Sequence, residues 1–216
     1  MNARQSMKML SAIIIMSVWL WISHPASAAE IIIQHDFSKI TNIESDGWKC
    51  FPGQGTEFNL QDGCLRMLFA NAPYKGGNIN RTVPQIDSGS LIFEVAVDTN
   101  GTGYDHFSLK INLCNLLLAF KQTLGTGHKL IRFYDGKWKD VADNIPVGKK
   151  IKVKIVFDNS TKVVQYFVDD MDNPVMIDEN MTIASPGPSA SLLIIGNYGL
   201  ATGKLEHKMF NIVLSR

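Results

Sequence analysis

From residue 31 to the C-terminus, apolar side chains recur at every second position in short runs, and clusters of Gly, Pro, Asn, Asp or Ser separate the runs. In the strongest run, 91–97, Leu91, Phe93, Val95 and Val97 alternate with Ile92, Glu94 and Ala96. Phe107, Leu109, Ile111 and Leu113 alternate with Ser108, Lys110 and Asn112, and Ile151, Val153, Ile155 and Phe157 with Lys152, Lys154, Val156 and Asp158. Successive side chains of a strand point to opposite faces, so these runs predict strands with one dry and one wet face. Further strands are predicted at 64–69, 78–83, 116–122, 129–134, 138–141, 163–169, 191–195 and 209–214, with an edge or closing strand at 31–37. Asp135-Gly136, between two of them, is a strong hairpin signal. No window of about 11 residues beyond residue 28 keeps a 3.6-residue apolar period, which limits helix to short turns. Many strands at a spacing of about 8 to 12 residues predict a sandwich or barrel.

The N-terminus breaks this pattern. Arg4 and Lys8 precede an uncharged apolar run over 9–22, and Ala26-Ser27-Ala28 follows, the three parts of a secretory signal in order. The run is shorter than the roughly 20 residues a spanning helix needs, so the expectation is cleavage after Ala28, export to a periplasmic or extracellular space, and no membrane span afterwards. Residues 29–216 then form one domain, large enough to bury close to 70% of its unfolded surface. Loss of Arg4 and Lys8 takes 21 Lys+Arg to 19 against 20 Asp+Glu. Such a balance gives no electrostatic footprint for nucleic acid or an anionic membrane.

Three cysteines remain, Cys50, Cys64 and Cys114. In an exported chain a Cys50–Cys64 bridge would contribute roughly 3 kcal/mol by closing its loop. Three buried thiols fit the same sequence equally well. The odd number leaves at least one thiol unpaired in either case, and zinc spacing is absent.

The segment Ile145-Pro146-Val147-Gly148-Lys149-Lys150-Ile151, running on to Phe157-Asp158, resembles the concanavalin A-like lectin/glucanase superfamily, especially its laminin-G-like bacterial members. So do Tyr166-Phe167-Val168-Asp169-Asp170 and the upstream Phe133-Tyr134-Asp135-Gly136-Lys137-Trp138. The similarity covers most of residues 60–216 and lies in turns and core positions. It implies an all-β, two-sheet antiparallel jelly-roll sandwich. It does not choose among the binding modules, lectins, hydrolases and lyases built on that fold.

Catalytic patterns are weak. Glu94 and Asp98 share a face, but at about 3.3 Å per residue they stand some 13 Å apart, too far for a retaining glycosidase pair. Lyase-type residues are present in Arg132, Tyr134, Gln165, His106 and Asn112, without the strand motifs of lyases in this superfamily. Asp- and Asn-rich loops at 98–105 and 169–173 offer oxygen ligands for a structural Ca²⁺, and solvated turns account for the same residues.

The residues therefore favour a non-catalytic, lectin-like module over an extracellular polysaccharide lyase, a hydrolase or an adhesion domain with a protein partner. If the strands after Ser90 form one meander, Glu94, Lys110, Asn112, Arg132, Tyr134, Lys154 and Gln165 share a wet face for an extracellular glycan. Trp138, Tyr74 and Tyr104 are the candidate aromatic plates beside it. On this reading Ile131 and Phe133 face the core, Arg132 and Tyr134 face outward, and Arg132→Ala changes stability by no more than about 0.5 kcal/mol.

Overall fold

The computed structural model describes residues 29–53, 56–69, 77–99, 107–123, 127–184, 191–196 and 205–216. The signal-like segment 1–28, Tyr74, Tyr104, His106 and most of the loop 98–105 lie outside the described residues.

Among the described residues, fifteen strands form two antiparallel sheets. The first, β1 (Ile31–Asp36), is followed by a single 3-10 turn (Ile43–Asp46) and β2 (Lys49–Phe51), β3 (Thr56–Gln61), β4 (Cys64–Phe69) and β5 (Asn78–Val83). Then come β6 (Ser88–Thr99), β7 (Phe107–Leu113), β8 (Leu116–Thr123), β9 (Gly127–Tyr134) and β10 (Lys137–Ile145). The chain closes with β11 (Lys150–Asp158), β12 (Val163–Val168), β13 (Met176–Glu179), β14 (Ser191–Gly196) and β15 (Leu205–Ser215). One sheet has eight strands in the order β13-β12-β11-β6-β15-β4-β3, with β1 also paired to β15; the other has seven, in the order β10-β9-β8-β7-β14-β5-β2. The fold is a two-sheet antiparallel jelly-roll sandwich.

The alternating runs occupy the inner faces as expected. Leu91, Phe93 and Val95 of β6, Leu109, Ile111 and Leu113 of β7, and Ile151, Val153, Ile155 and Phe157 of β11 are all buried in one core. Interdigitating side chains from two facing sheets make such a core. The β9–β10 hairpin turns on Asp135 (φ 48°) and Gly136 (φ 71°), the left-handed pair that a two-residue hairpin requires. As expected of an edge strand, β1 pairs with β15 alone, and this brings the two ends of the domain together: Glu30 and Arg216 exchange backbone hydrogen bonds and pair at 2.8 Å through their side chains.

One end of the sandwich is closed by the segment after β13, where Met181 and Ile183 enter the core. Asn159 accepts from the Ile183 N–H and donates to its carbonyl, both at 2.8 Å. Asn115 does the same for Thr182 and Ala184, donating to the Thr182 carbonyl and accepting from the Ala184 N–H, both at 2.9 Å. Two asparagine amides thus satisfy backbone that no neighbouring strand pairs.

Candidate functional site

The single meander expected after Ser90 is not formed. β7 to β10 run as consecutive neighbours in the seven-stranded sheet, while β6 and the consecutive β11 to β13 belong to the opposite sheet. The chain crosses over at Pro146-Val147-Gly148, where the Gly148 N–H donates to the Val97 carbonyl. The expected wet face is therefore divided. Glu94, Lys154 and Gln165 lie on the eight-stranded sheet, and Lys110, Asn112, Arg132, Tyr134 and Trp138 on the seven-stranded one. Glu94 is paired with Lys150 at 2.5 Å, and Lys154 sits 4.1 Å over the Phe167 ring while donating to the Met171 carbonyl.

Arg132 and Tyr134 face the opposite way from the expectation. Leu130 belongs to the core, so Arg132 and Tyr134, two and four residues on, share its inward face. Arg132 grips Asp178 of β13 through Nε (2.7 Å) and a terminal nitrogen (3.2 Å), and Lys139 adds a third contact at 2.7 Å. The side chains of Arg132 and Asp178 are 11% and 6% exposed, and they tie β9, one strand in from the edge of its sheet, to β13 at the edge of the other. Burial by itself would raise the Asp178 pKa, but hydrogen bonds from Arg132 and Lys139 outweigh it and hold the carboxyl below its usual range. The same burial, with Asp178 nearby, pushes the Tyr166 phenol well up. The Tyr134 hydroxyl accepts from the Thr182 N–H at 3.1 Å. Arg132 and Tyr134 are therefore committed to the fold, and the lyase-type set is not assembled: Gln165 stands on the other sheet and Asn112 on the outer face.

The outer face of the seven-stranded sheet is the surface on which the remaining residues converge. In an antiparallel pair, directly opposed residues share a face. One row crosses the whole sheet as Trp138, Phe133, Leu117, Asn112, Ile194, Asn80 and Lys49. The next row is Asp140, Ile131, Ala119, Lys110, Gly196, Asn78 and Phe51, of which Ile131 and Ala119 are buried. Lys110 and Asn112 thus sit on β7, the middle strand, with Asn78 and Asn80 two strands away. Six interstrand steps of roughly 4.8 Å make each row about 29 Å long.

Aromatic rings stand at both ends. Trp138 is 43% exposed and packs on Phe133 with ring centroids 4.8 Å apart; Phe51, at the far edge, is 50% exposed. At the centre, burial pushes the half-buried Lys110 ammonium below the usual lysine value. At the Trp138 end, hydrogen bonds to Asp140 first and Asp143 second, at 2.7 and 2.9 Å, hold the Lys129 proton, with its pKa pushed up to about 12. Lys49, Phe51, Asn78, Asn80 and Phe133 were not among the expected site residues. Asn78, Asn80 and Thr82 do alternate with Ile79, Arg81 and Val83, so their shared face was readable, but not its neighbours.

Cys50 and Cys64 do not form the bridge considered from sequence. None of the three cysteines is in a disulfide. Cys50 lies on β2 of the seven-stranded sheet, packed against the core, and Cys64 on β4 of the other sheet, donating to the Gln61 carbonyl. Burial is the main cause raising both thiols above the usual value. In the 169–173 turn, several of the carboxylate oxygens already accept hydrogen bonds from the protein. Asp169 accepts from the Lys152 N–H, and Asp170 from the Asp172 and Asn173 N–H groups and the Asn173 amide. Among the described residues no three His, Cys, Asp or Glu side chains cluster as a metal site would need.

No family model matches the chain, and no curated protein sequence matches it. Solved structures do resemble it. A sialidase aligns with a TM-score of 0.65 and 16% identity over 87% of this chain, which corresponds to only 18% of the sialidase. The conserved carbohydrate esterase of the Shiga toxin-encoding bacteriophage phi24B aligns with a TM-score of 0.65 and 9% identity, over 87% of this chain and 99% of that one. The carbohydrate recognition domain of Emp46p, in its metal-free form, aligns with a TM-score of 0.57 and 10% identity, over 85% and 94%. At these identities the likeness establishes the lectin-type jelly-roll fold.

Proposed function

We propose that this protein is an exported, non-catalytic carbohydrate-binding module of the concanavalin A-like type, and that it binds an extracellular glycan on the outer face of its seven-stranded sheet. The observation that carries the reading is the row from Trp138 through Asn112 and Asn80 to Lys49. Sugar recognition needs hydrogen-bonding groups beside an aromatic plate on which a pyranose ring can lie, and this row supplies both. The similar structures include a carbohydrate recognition domain, a sialidase and a carbohydrate esterase, whose names all concern carbohydrate. They support the reading at the level of fold. The opposite outer face offers a poorer platform, since its charged groups are engaged in ion pairs, Glu94 with Lys150 and Arg66 with Glu206.

Binding of the purified protein to a panel of immobilised polysaccharides tests the proposal. Trp138→Ala and Asn112→Ala should each weaken retention on whichever glycan binds, while leaving the melting temperature within the range of surface substitutions. Retention by both variants equal to the parent protein removes this face from the account. Turnover of a polysaccharide, read as new reducing ends or unsaturated uronate, overturns the non-catalytic part.

A further inference from the structure

An uncharged band crosses the outer face of the eight-stranded sheet. The row Ile177, Gln165, Val156, Ser90, Ser215 and Ile31 runs from β13 to β1 without a charge. Its neighbours along the strands, such as Ile155, Leu91 and Leu214, belong to the core, so the row itself faces outward. Ile177 and Ile31 are 48% and 55% exposed, and the Ser90 and Ser215 hydroxyls meet at 3.0 Å. In the next row Phe167, Ile92 and Val213 accompany Lys154, whose ammonium is engaged by the Phe167 ring and the Met171 carbonyl. Single exposed apolar residues are ordinary on a protein surface, but a contiguous band of Ile and Val marks a contact surface.

The charges bordering the band are self-complementary. On the outer face of β11, Lys152 stands on one side of it and Asp158 on the other, with Lys154 and Val156 between them. Neither Lys152 nor Asp158 has an ion-pair partner among the described residues. Glu94, beside Lys152, is taken by Lys150, and the Asp158 carboxylate accepts only from Ser160 and Thr161 of its own turn.

We infer that this face packs against the same face of a second copy of the chain, about a two-fold axis that runs across the strands between the two uncharged rows. β11 then lies antiparallel over β11 of the second copy. Each Lys152 meets an Asp158, and the uncharged rows cover one another, as facing sheets of a sandwich do. The two rows, with the rows of Lys152 and Asp158 beside them, cover roughly 640 Å² per copy at about 4.8 Å between strands and about 6.7 Å between rows. That lies within the roughly 600–1,000 Å² per partner of a standard interface. The outer face of the seven-stranded sheet stays open in both copies, on opposite sides of the pair. Two copies would thus present two glycan faces, although the contact itself does not depend on the glycan reading.

Sedimentation equilibrium of protein purified from an exporting host, over about 1 to 500 μM, tests the contact. A monomer–dimer equilibrium with a dissociation constant below about 100 μM is expected. Val156→Lys sets a cation against Lys154 of the second copy, and Lys152→Glu sets an anion against its Asp158. By symmetry each substitution enters twice, so each should weaken the dimer about tenfold or more, and Lys152→Arg should retain most of it. Ile177→Lys, at an exposed edge position, should weaken it as well and serves where Val156→Lys does not fold. The same charge reversal at Lys49, on the seven-stranded sheet, should leave the dimer within about twofold of the parent. Protein that stays monomeric throughout, or a dimer that Val156→Lys, Ile177→Lys and Lys152→Glu all leave unchanged, overturns the contact. Equal weakening by Lys49→Glu also overturns it, since the attraction is then not seated on this face.

Discussion

Replacing Asp178 with Ala removes the anion from a buried cluster and leaves the Arg132 guanidinium, 11% exposed, with one described hydrogen bond, to the Lys137 carbonyl at 3.2 Å. Three charge-assisted contacts disappear, at 2.7, 3.2 and 2.7 Å. Breaking a buried pair by deleting one partner costs about 3–5 kcal/mol, most of it from the stranded charge. That is a large share of a typical domain stability of about 5–15 kcal/mol, and for a domain of this size it lowers the melting temperature by about 6–20 °C. Arg132→Ala should cost a similar amount, because Asp178 is then buried with only Lys139 beside it. The double variant Arg132→Met with Asp178→Leu should be less destabilised than either alanine variant, since it strands no charge.

Because the folded-state pKa of Asp178 lies below the unfolded value of about 3.9, its contribution is complete above that value and disappears as pH falls through the folded one. The parent protein should therefore lose more stability than Asp178→Ala as pH falls below about 4. Urea unfolding at pH 7 and at acid pH measures both effects. A loss below about 1 kcal/mol at neutral pH, or a double variant worse than both singles, refutes the clamp.

Other outcomes follow from the same structure. Thiol counting on denatured, unreduced protein should find three free thiols; two fewer would mean that the strands carrying Cys50 and Cys64 are misassigned. Gly127→Ala should destabilise by several kcal/mol in thermal unfolding, because its φ is 107° and a Cβ there would run into the Ile145 carbonyl oxygen. A loss within about 0.5 kcal/mol would contradict that geometry. Asn159→Ala should cost about 1–3 kcal/mol in urea unfolding by releasing both backbone groups of Ile183, and a loss within about 0.5 kcal/mol would contradict that pairing. Protein recovered from an exporting host should begin at Ala29, as N-terminal sequencing would detect.

Strand positions and most inner faces were legible because period two is a local property. Leu91 to Val97 announces its core face without reference to any partner. The face of β9 was not legible, since Leu130, Ile131, Phe133 and Tyr134 put bulky apolar or aromatic groups on both sides. What decides its direction is Asp178, 46 residues away in a segment whose short strand gives almost no pattern. Sheet membership was hidden for a related reason: each hairpin is signalled by its turn, but crossing from β10 to β11 looks like any other loop. β3 was overlooked although Phe58 and Leu60, which both pack against the core, alternate with Glu57 and Asn59. β2 has three residues and no pattern to read.

The glycan face is tested most directly by nuclear magnetic resonance of nitrogen-15-labelled protein titrated with oligogalacturonate and with a neutral oligosaccharide of equal length. The Trp138 indole N–H and the side-chain amides of Asn80 and Asn112 report from one row of the seven-stranded sheet, and the Gln165 amide reports from the opposite sheet. The account predicts that the first three shift together and saturate with whichever of the two ligands binds, while Gln165 stays in place. Movement of Gln165 with Trp138, Asn80 and Asn112 unchanged would contradict it.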